Sequence, residues 1–548
     1  MTLDAMRRVL FQTFLFALSL MLLQGCSCSG NKNYGLEVKL ASSASENSEF
    51  ILVCNLSDLL EECNVDVTEK GLMISPMLRN FLNRDFSGEI LEKVIEVAES
   101  LEGVDLTDIV FVGSPSGECV GVFGVDDFND FVDSLRKVFP ALKEFDIDGF
   151  SGVAIEGILI LVKESGLGFV VSSETEEAGV HIVNDFEESA GTSPLSQWKK
   201  DYLAENKDLK LLINTGFIRK EWKRKISEEL GTEVLTGGEL ESLIPGDYYE
   251  LTVDLDGPEL KVKTANIDKN GLTVSASVKS KFKSELIEYS LPTDFLAVSV
   301  SMTADTYKNV GEGLSHAVNT LMVKSTPYYE EQYVRRMVDA TKRFFKELTQ
   351  LPAEYLAQGG MFVAFGLAED FSIDEFSLDA LDDLRTWHFV FAADVRSEKS
   401  GEAYKGVCDI FREIMQAEGV NMGEGENMMM KFSVPDTERY DYTKLEWVVD
   451  YIDFYVALHG DTLLVSNSLP KRNSNPVFNK EIFEGTGMAF QVVISGKNIE
   501  IIRQLGITEG LEVTGSSTWS TSNYKVKILN TNDKIIPATI NLLSRYGL

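Results

Sequence analysis

Short apolar runs alternate with helix-spaced stretches along the chain, and the same succession occurs twice. Phe50-Ile-Leu-Val-Cys-Asn-Leu56 and Phe295-Leu-Ala-Val-Ser-Val-Ser301 each read as an opening strand. Long helical stretches follow, over roughly residues 57–103 and 304–357; Thr326-Pro327 supplies a helix start in the second. Two strands come next in each half, Asp108–Val112 with Glu118–Val125, and Met361–Leu367 with Trp387–Val395. The helices that follow share one spacing. Phe128, Phe131, Val132, Leu135, Val138 and Phe139 match Tyr404, Val407, Cys408, Phe411, Ile414 and Met415, which puts each set on one helix face. A strand (Phe150–Ile155 or Met428–Val434) and a hairpin close each block. The hairpins are Ile158–Val162 with Leu167–Ser172, and Phe454–Leu458 with Thr462–Ser466.

A smaller unit trails each block. The first runs from Leu209–Asn214 through a basic helix to Tyr249–Val253, with a turn at Asp268-Lys-Asn-Gly271. The second contains Met488–Ile494, a helix through Ile499–Leu505, Leu511–Thr518 and Tyr524–Leu529. The halves are expected at 49–287 (main block 49–205, smaller unit 206–287) and 288–548 (main block 288–485, smaller unit 486–548). Strand–helix–strand–strand–helix–strand is the order of the split βαβ, ferredoxin-like motif. The expected fold class is therefore α+β: two tandem antiparallel sheets with helices on one face and added hairpins.

The amino terminus carries a different signal. Arg7 and Arg8 precede a fifteen-residue run, Val9–Leu23, broken only by Gln12, Thr13 and Ser19. That is short for a membrane-spanning helix, which needs about 20 residues, and suits a signal-peptide core. Leu23-Gln24-Gly25-Cys26 follows and resembles the lipobox of bacterial lipoproteins. The resemblance implies cleavage between Gly25 and Cys26, with the Cys26 thiol carrying lipid as the new amino terminus. Residues 1–25 are then the signal peptide. Residues 26–48, rich in Ser, Asn and Gly, read as a flexible tether.

Composition narrows the function. The chain has 548 residues and a formal net charge of −35. So acidic a chain repels phosphate backbones, which argues against nucleic acid. It also opposes adsorption to anionic lipid, so membrane attachment needs the lipid at Cys26. Six cysteines in 548 residues do not make a disulfide scaffold. Cys54, Cys63 and Cys119 leave a single disulfide open, and Cys408 reads as a core residue.

No catalytic, cofactor-binding or metal-binding residue is identified, and no cofactor is expected. His181, His316, His388 and His459 are far apart in sequence and fit no zinc pattern. His388 reads as packed within a strand and His459 as exposed at a turn. Three acidic runs (Asp146–Gly149, Asp254–Gly257 and Asn266–Gly271) suggest calcium, but Ser277 stands where an EF-hand needs glutamate. Gly423–Asn427 lacks the Lys-Ser/Thr of a phosphate loop. Met428–Met430 alternates faces as strand packing would, and the Tyr328–Leu351 helix presents a basic face.

The lipobox, the length and the two halves opening on strands such as Leu291-Pro-Thr-Asp-Phe-Leu-Ala-Val-Ser-Val300 resemble an uncharacterised family of Bacteroidetes lipoproteins. The first copy departs from that opening with Glu46-Asn-Ser-Glu-Phe50. The resemblance implies two related halves and a lipid anchor, and brings no activity. Surface-exposed lipoproteins of that phylum often carry acidic residues after the cysteine. Ser27–Gly35 has none, which tilts the expectation to the periplasmic side of the outer membrane, with surface exposure left open. The expected role is a non-enzymatic binding or structural protein of the envelope, with an envelope protein as partner. The alternatives are a glycan or peptide hydrolase using carboxylates, and a carrier of a small apolar ligand.

Overall fold

A computed structural model describes residues 35–62, 66–68, 71–73, 104–155, 157–230, 244–274, 282–301, 355–369, 386–417, 430–433, 441–447, 452–484, 487–495, 510–518, 520–529, 531 and 533–539. In chain order the first elements are α1 (Leu36–Ala41), β1 (Phe50–Asn55), α2 (Leu56–Glu62), β2 (Asp66–Thr68), β3 (Gly71–Met73), β4 (Val104–Gly113), β5 (Cys119–Val125), α3 (Phe128–Val138), β6 (Lys143–Ile147), β7 (Phe150–Ile155), β8 (Ile158–Lys163) and β9 (Leu167–Ser172). Then come α4 (Glu176–Thr192), α5 (Gln197–Leu203), β10 (Leu209–Asn214), α6 (Thr215–Leu230), β11 (Tyr248–Asp256) and β12 (Glu259–Ile267). After a 3-10 turn at Ser284–Tyr289 follow β13 (Asp294–Ser301), β14 (Leu356–Leu367), β15 (Trp387–Val395), α7 (Ser400–Ala417), β16 (Met430–Ser433), β17 (Asp441–Trp447), β18 (Ile452–His459), β19 (Thr462–Ser466), α8 (Lys480–Phe483), β20 (Gly487–Ile494), β21 (Gly510–Ser517) and β22 (Thr521–Leu529). The protein is a mixed α/β structure, mostly antiparallel sheet with several helices.

Two compact units form: Met1–Ser275 together with Ser520–Leu548, and Ala276–Trp519. The division differs from the expected 287/288 boundary. It also assigns the last strand, β22, to the first unit, where it pairs with β12 from Glu259↔Lys527 to Ala265↔Thr521. Electrostatics favour that pairing. Glu259 lies directly opposite Lys527, and its carboxylate accepts from Lys527 at 2.8 Å and from Lys525 at 2.9 Å, which offsets the like-charged Lys261–Lys525 pair beside it. These hydrogen bonds hold the Glu259 carboxyl down at about 2.

The first unit's strands run β6-β7-β8-β9-β5-β4-β1-β10-β11-β12-β22, all antiparallel. The second unit runs β16-β17-β18-β19-β15-β14-β13-β20-β21, also antiparallel. A split βαβ would set its two strands parallel with a third between them. Here β1 and β4 are immediate antiparallel neighbours, Ile51 opposite Val112, so the ferredoxin-like order does not describe the sheet. Element succession alone could not reveal this, because it leaves strand adjacency open.

Helices on one face is also corrected. Ile51, Val53, Val110, Val112, Val120, Val122, Phe169 and Val171 share one sheet face and form a core with Leu40 of α1, Val180, Val183 and Phe186 of α4, and Leu203 of α5. Phe123 points to the opposite face. Its ring meets Phe131 of α3 edge-on at 6.1 Å between centroids. The second unit repeats this. One core joins Ala297, Ala364, Val390 and Leu464 to Leu286, Ile287 and Phe483; another joins Ala393, Val395, Leu463 and Val465 to Ala403 and Cys408 of α7. The reason is in the strands: Cys119–Val125 and Ile158–Lys163 are apolar almost without alternation, the signature of strands covered on both sides. Phe131 is fully buried. Phe131→Ala is therefore expected to lower stability by about 3–5 kcal/mol, measured by urea unfolding; a change below about 1 kcal/mol would mean that α3 does not cover this face.

Part of the expected tether is built into the first unit. Leu40 and Ala44 lie in the core, and the Lys39 side chain is fully buried. Its ammonium donates to the Asp108 carbonyl at 2.7 Å and to Asp105 at 3.3 Å. Glu46 pairs with buried Lys199 at 2.9 Å, and Ser45 bridges to Pro194. Apolar Leu36 and Leu40, four residues apart on one short helix, carried this signal within an otherwise polar stretch.

Candidate functional site

Two groups of polar side chains sit where sheet geometry brings them together. In the second unit, Asp294 at the start of β13 faces Gly366 of β14, and Gly366 faces His388 of β15. With no side chain between them, Asp294 and His388 meet across the glycine, Oδ1 to Nδ1 at 2.6 Å. The other Asp294 oxygen accepts from the Leu291 amide at 2.7 Å. Burial pushes the Asp294 carboxyl up, against the pull of His388. On the far side of the imidazole, Ser466 of β19 lies 3.5 Å from Nε2 and donates to the Phe389 carbonyl at 2.8 Å.

Aspartate, histidine and serine in a row have the composition of a nucleophilic triad. The chemistry does not follow. Asp294, His388 and Ser466 are 0%, 2% and 1% exposed, and the hydroxyl proton is committed to a carbonyl. The 3.5 Å separation exceeds a working hydrogen bond. The row is a closed polar brace, in keeping with the packed role expected of His388.

In the first unit, β10 to β12 extend past the apolar core, and the same face turns polar. Lys210 of β10 donates to the Glu205 carbonyl at 2.6 Å. Tyr202 of α5 reaches the Leu211 and Leu251 carbonyls at 3.1 and 2.9 Å. Beside them, burial and then the neighbouring Glu205 push the Glu250 carboxyl up to about 7. The folded chain therefore disfavours charged Glu250. That cost is absent below the ordinary value of 4.5 and complete above about 7. Glu250→Gln is expected to stabilise the protein by about 1–3 kcal/mol at pH 8, with no gain at pH 4. Urea unfolding at both pH values checks this, and an equal effect at both would remove the titration. The group can hold a proton near neutrality. Sequence spacing does not reveal it, because Glu205, between α5 and β10, comes beside Glu250 of β11 only once β10 and β11 pair.

The other candidates scatter. Gly25 and Cys26, the cleavage and lipid-attachment residues, lie outside the described residues, as do Cys28, Cys63, His316, Gly423–Asn427, Met428, Met429 and Tyr328–Leu351. His181 is exposed on α4, 2.9 Å from Asp185. His459, expected to be exposed, is half-buried, with Nδ1 3.2 Å from the Tyr289 hydroxyl. Burial lowers its pKa. Cys54 and Cys119 are free. They stand opposite Ile109 and Gly113 at different heights of β4, and burial raises both thiols to about 12. The acidic runs are turns. Asp148-Gly149 and Gly257 hold positive φ, and Asp268 accepts from the Asn270 and Leu272 amides. Among the described residues no group of three or more His, Cys, Asp or Glu is placed to hold a metal ion, and no helix is long and apolar enough to cross a membrane.

No family model matches the chain, and no curated protein does. Among solved structures it is similar to TP0453 in crystal form I, with 11% identity, 43% of this chain and 81% of that chain covered, and a TM-score of 0.25. Crystal form III gives 10% identity, 43% and 82% coverage, and a TM-score of 0.26. Overlaps this low imply no shared activity.

Proposed function

We propose that the chain is a bacterial envelope lipoprotein, held by lipid at Cys26, with a binding or structural role rather than a catalytic one. The observation that carries this is the ordered signal at the amino terminus: Arg7-Arg8, the Val9–Leu23 run, and Leu23-Gln24-Gly25-Cys26. The outer membrane, facing the periplasm, is the favoured site, because Ser27–Gly35 lacks acidic residues. An envelope protein is the favoured partner. We further propose that the two units descend from one duplicated architecture. The matched order of β6-β7-β8-β9-β5-β4-β1-β10-β11 and β16-β17-β18-β19-β15-β14-β13-β20-β21 supports it. So does the shared glycine row, Phe50–Gly113–Cys119 in one unit and Asp294–Gly366–His388 in the other.

Cys26→Ala tests the anchor. Grown with radiolabelled palmitate, the native chain is expected to incorporate label and the variant to lose it by at least tenfold. A variant that incorporates as much label as the native chain would defeat the proposal.

A further inference from the structure

The fixed position of α1 sets the length of the leash. From Leu36 onward the chain belongs to the first unit. Leu40 and Ala44 are core residues, Lys39 is buried on Asp105 and the Asp108 carbonyl, and Ser43 donates to the Lys39 carbonyl at 2.9 Å. The chain then runs along the end of α4, where the Glu46 amide donates to the Ser193 carbonyl at 2.8 Å and Ser189 donates to Ser45 at 3.0 Å. If lipid sits on Cys26, as the preceding reading holds, only the eight residues 27–34 lie between the anchor and Gly35. Fully extended they reach about 30 Å.

We infer that the first unit is kept at the surface of the bilayer holding the anchor, with the amino-terminal end of α1 nearest the headgroups. The leash is too short to carry the unit away from that leaflet. Its partners are therefore groups presented at the same membrane surface. The acidic chain gains nothing from anionic headgroups, so the leash supplies the proximity rather than adhesion.

The test places a fluorescent donor on Val38→Cys, a side chain 46% exposed on α1. The variant also carries Cys28→Ser and is reconstituted, lipidated, into phosphatidylcholine vesicles containing acceptor lipid. Transfer is expected to put the donor within about 30 Å of the headgroup plane. A twenty-residue Gly/Ser insertion after Gly30 is expected to reduce transfer. A donor beyond about 50 Å, or transfer unchanged by the insertion, would overturn the inference. Hydrogen exchange supplies a second readout: amides of Leu40–Ala44 are expected to be protected, and free-chain exchange there would mean a longer leash. If mass spectrometry finds no lipid on Cys26, the lipoprotein reading fails. The leash is then tested alone by coupling a maleimide lipid to Cys26 of residues 26–548.

Discussion

Asp294→Ala is expected to destabilise the second unit by about 3–5 kcal/mol. The aspartate is wholly buried and serves two groups at once, the His388 imidazole at 2.6 Å and the Leu291 amide at 2.7 Å. Removing it leaves the buried His388 nitrogen without this partner and frees the partly buried Leu291 amide, and a buried polar group left unpaired costs its desolvation. Asp294→Asn keeps the size and one acceptor, so it is expected to lose less than Asp294→Ala. Urea unfolding monitored by tryptophan fluorescence gives the values, since Trp387 adjoins His388. Near-equal stability of the alanine variant and the native chain would show that the brace contributes nothing.

Gly366→Ala is expected to cost about 3 kcal/mol or more, with local rearrangement of β13 and β14. A Cβ on residue 366 would lie 2.2 Å from the Asp294 Cα and 2.5 Å from the Thr293 carbonyl oxygen. Both are backbone atoms that no rotamer change can move. The same residue keeps the lane between Asp294 and His388 open, so the two substitutions share one defect. The double variant Asp294→Ala/Gly366→Ala is expected to fall short of the sum by about 1 kcal/mol or more. Strict additivity would separate the glycine from the brace.

Local signals were legible, and spatial ones were not. The β5, β7, β8 and β9 strands and the α3 and α7 helices sit where periodicity placed them. Cover on both sheet faces was written in the unbroken apolar run Ile158–Val162, which the expectation of helices on one face did not use. Other features needed pairing to appear. The expected turn at Asp268-Lys-Asn-Gly271 forms, with Ile267 bridging to Thr273, but the turn that joins β11 to β12, Asp256-Gly257-Pro258-Glu259, was not foreseen. The Asp294–His388 contact joins residues 94 apart through an intervening strand, and the Glu250 carboxyl is pushed up to about 7 by burial and then by Glu205 folded beside it. Sequence spacing carries no trace of either.

Mass spectrometry of the amino-terminal peptide, released from protein purified out of native membranes, tests the lipid anchor most directly. A peptide beginning at Cys26 and carrying a diacylglyceryl thioether is the predicted result. A peptide that retains residues before Cys26, or that begins there with an unmodified thiol, would contradict it.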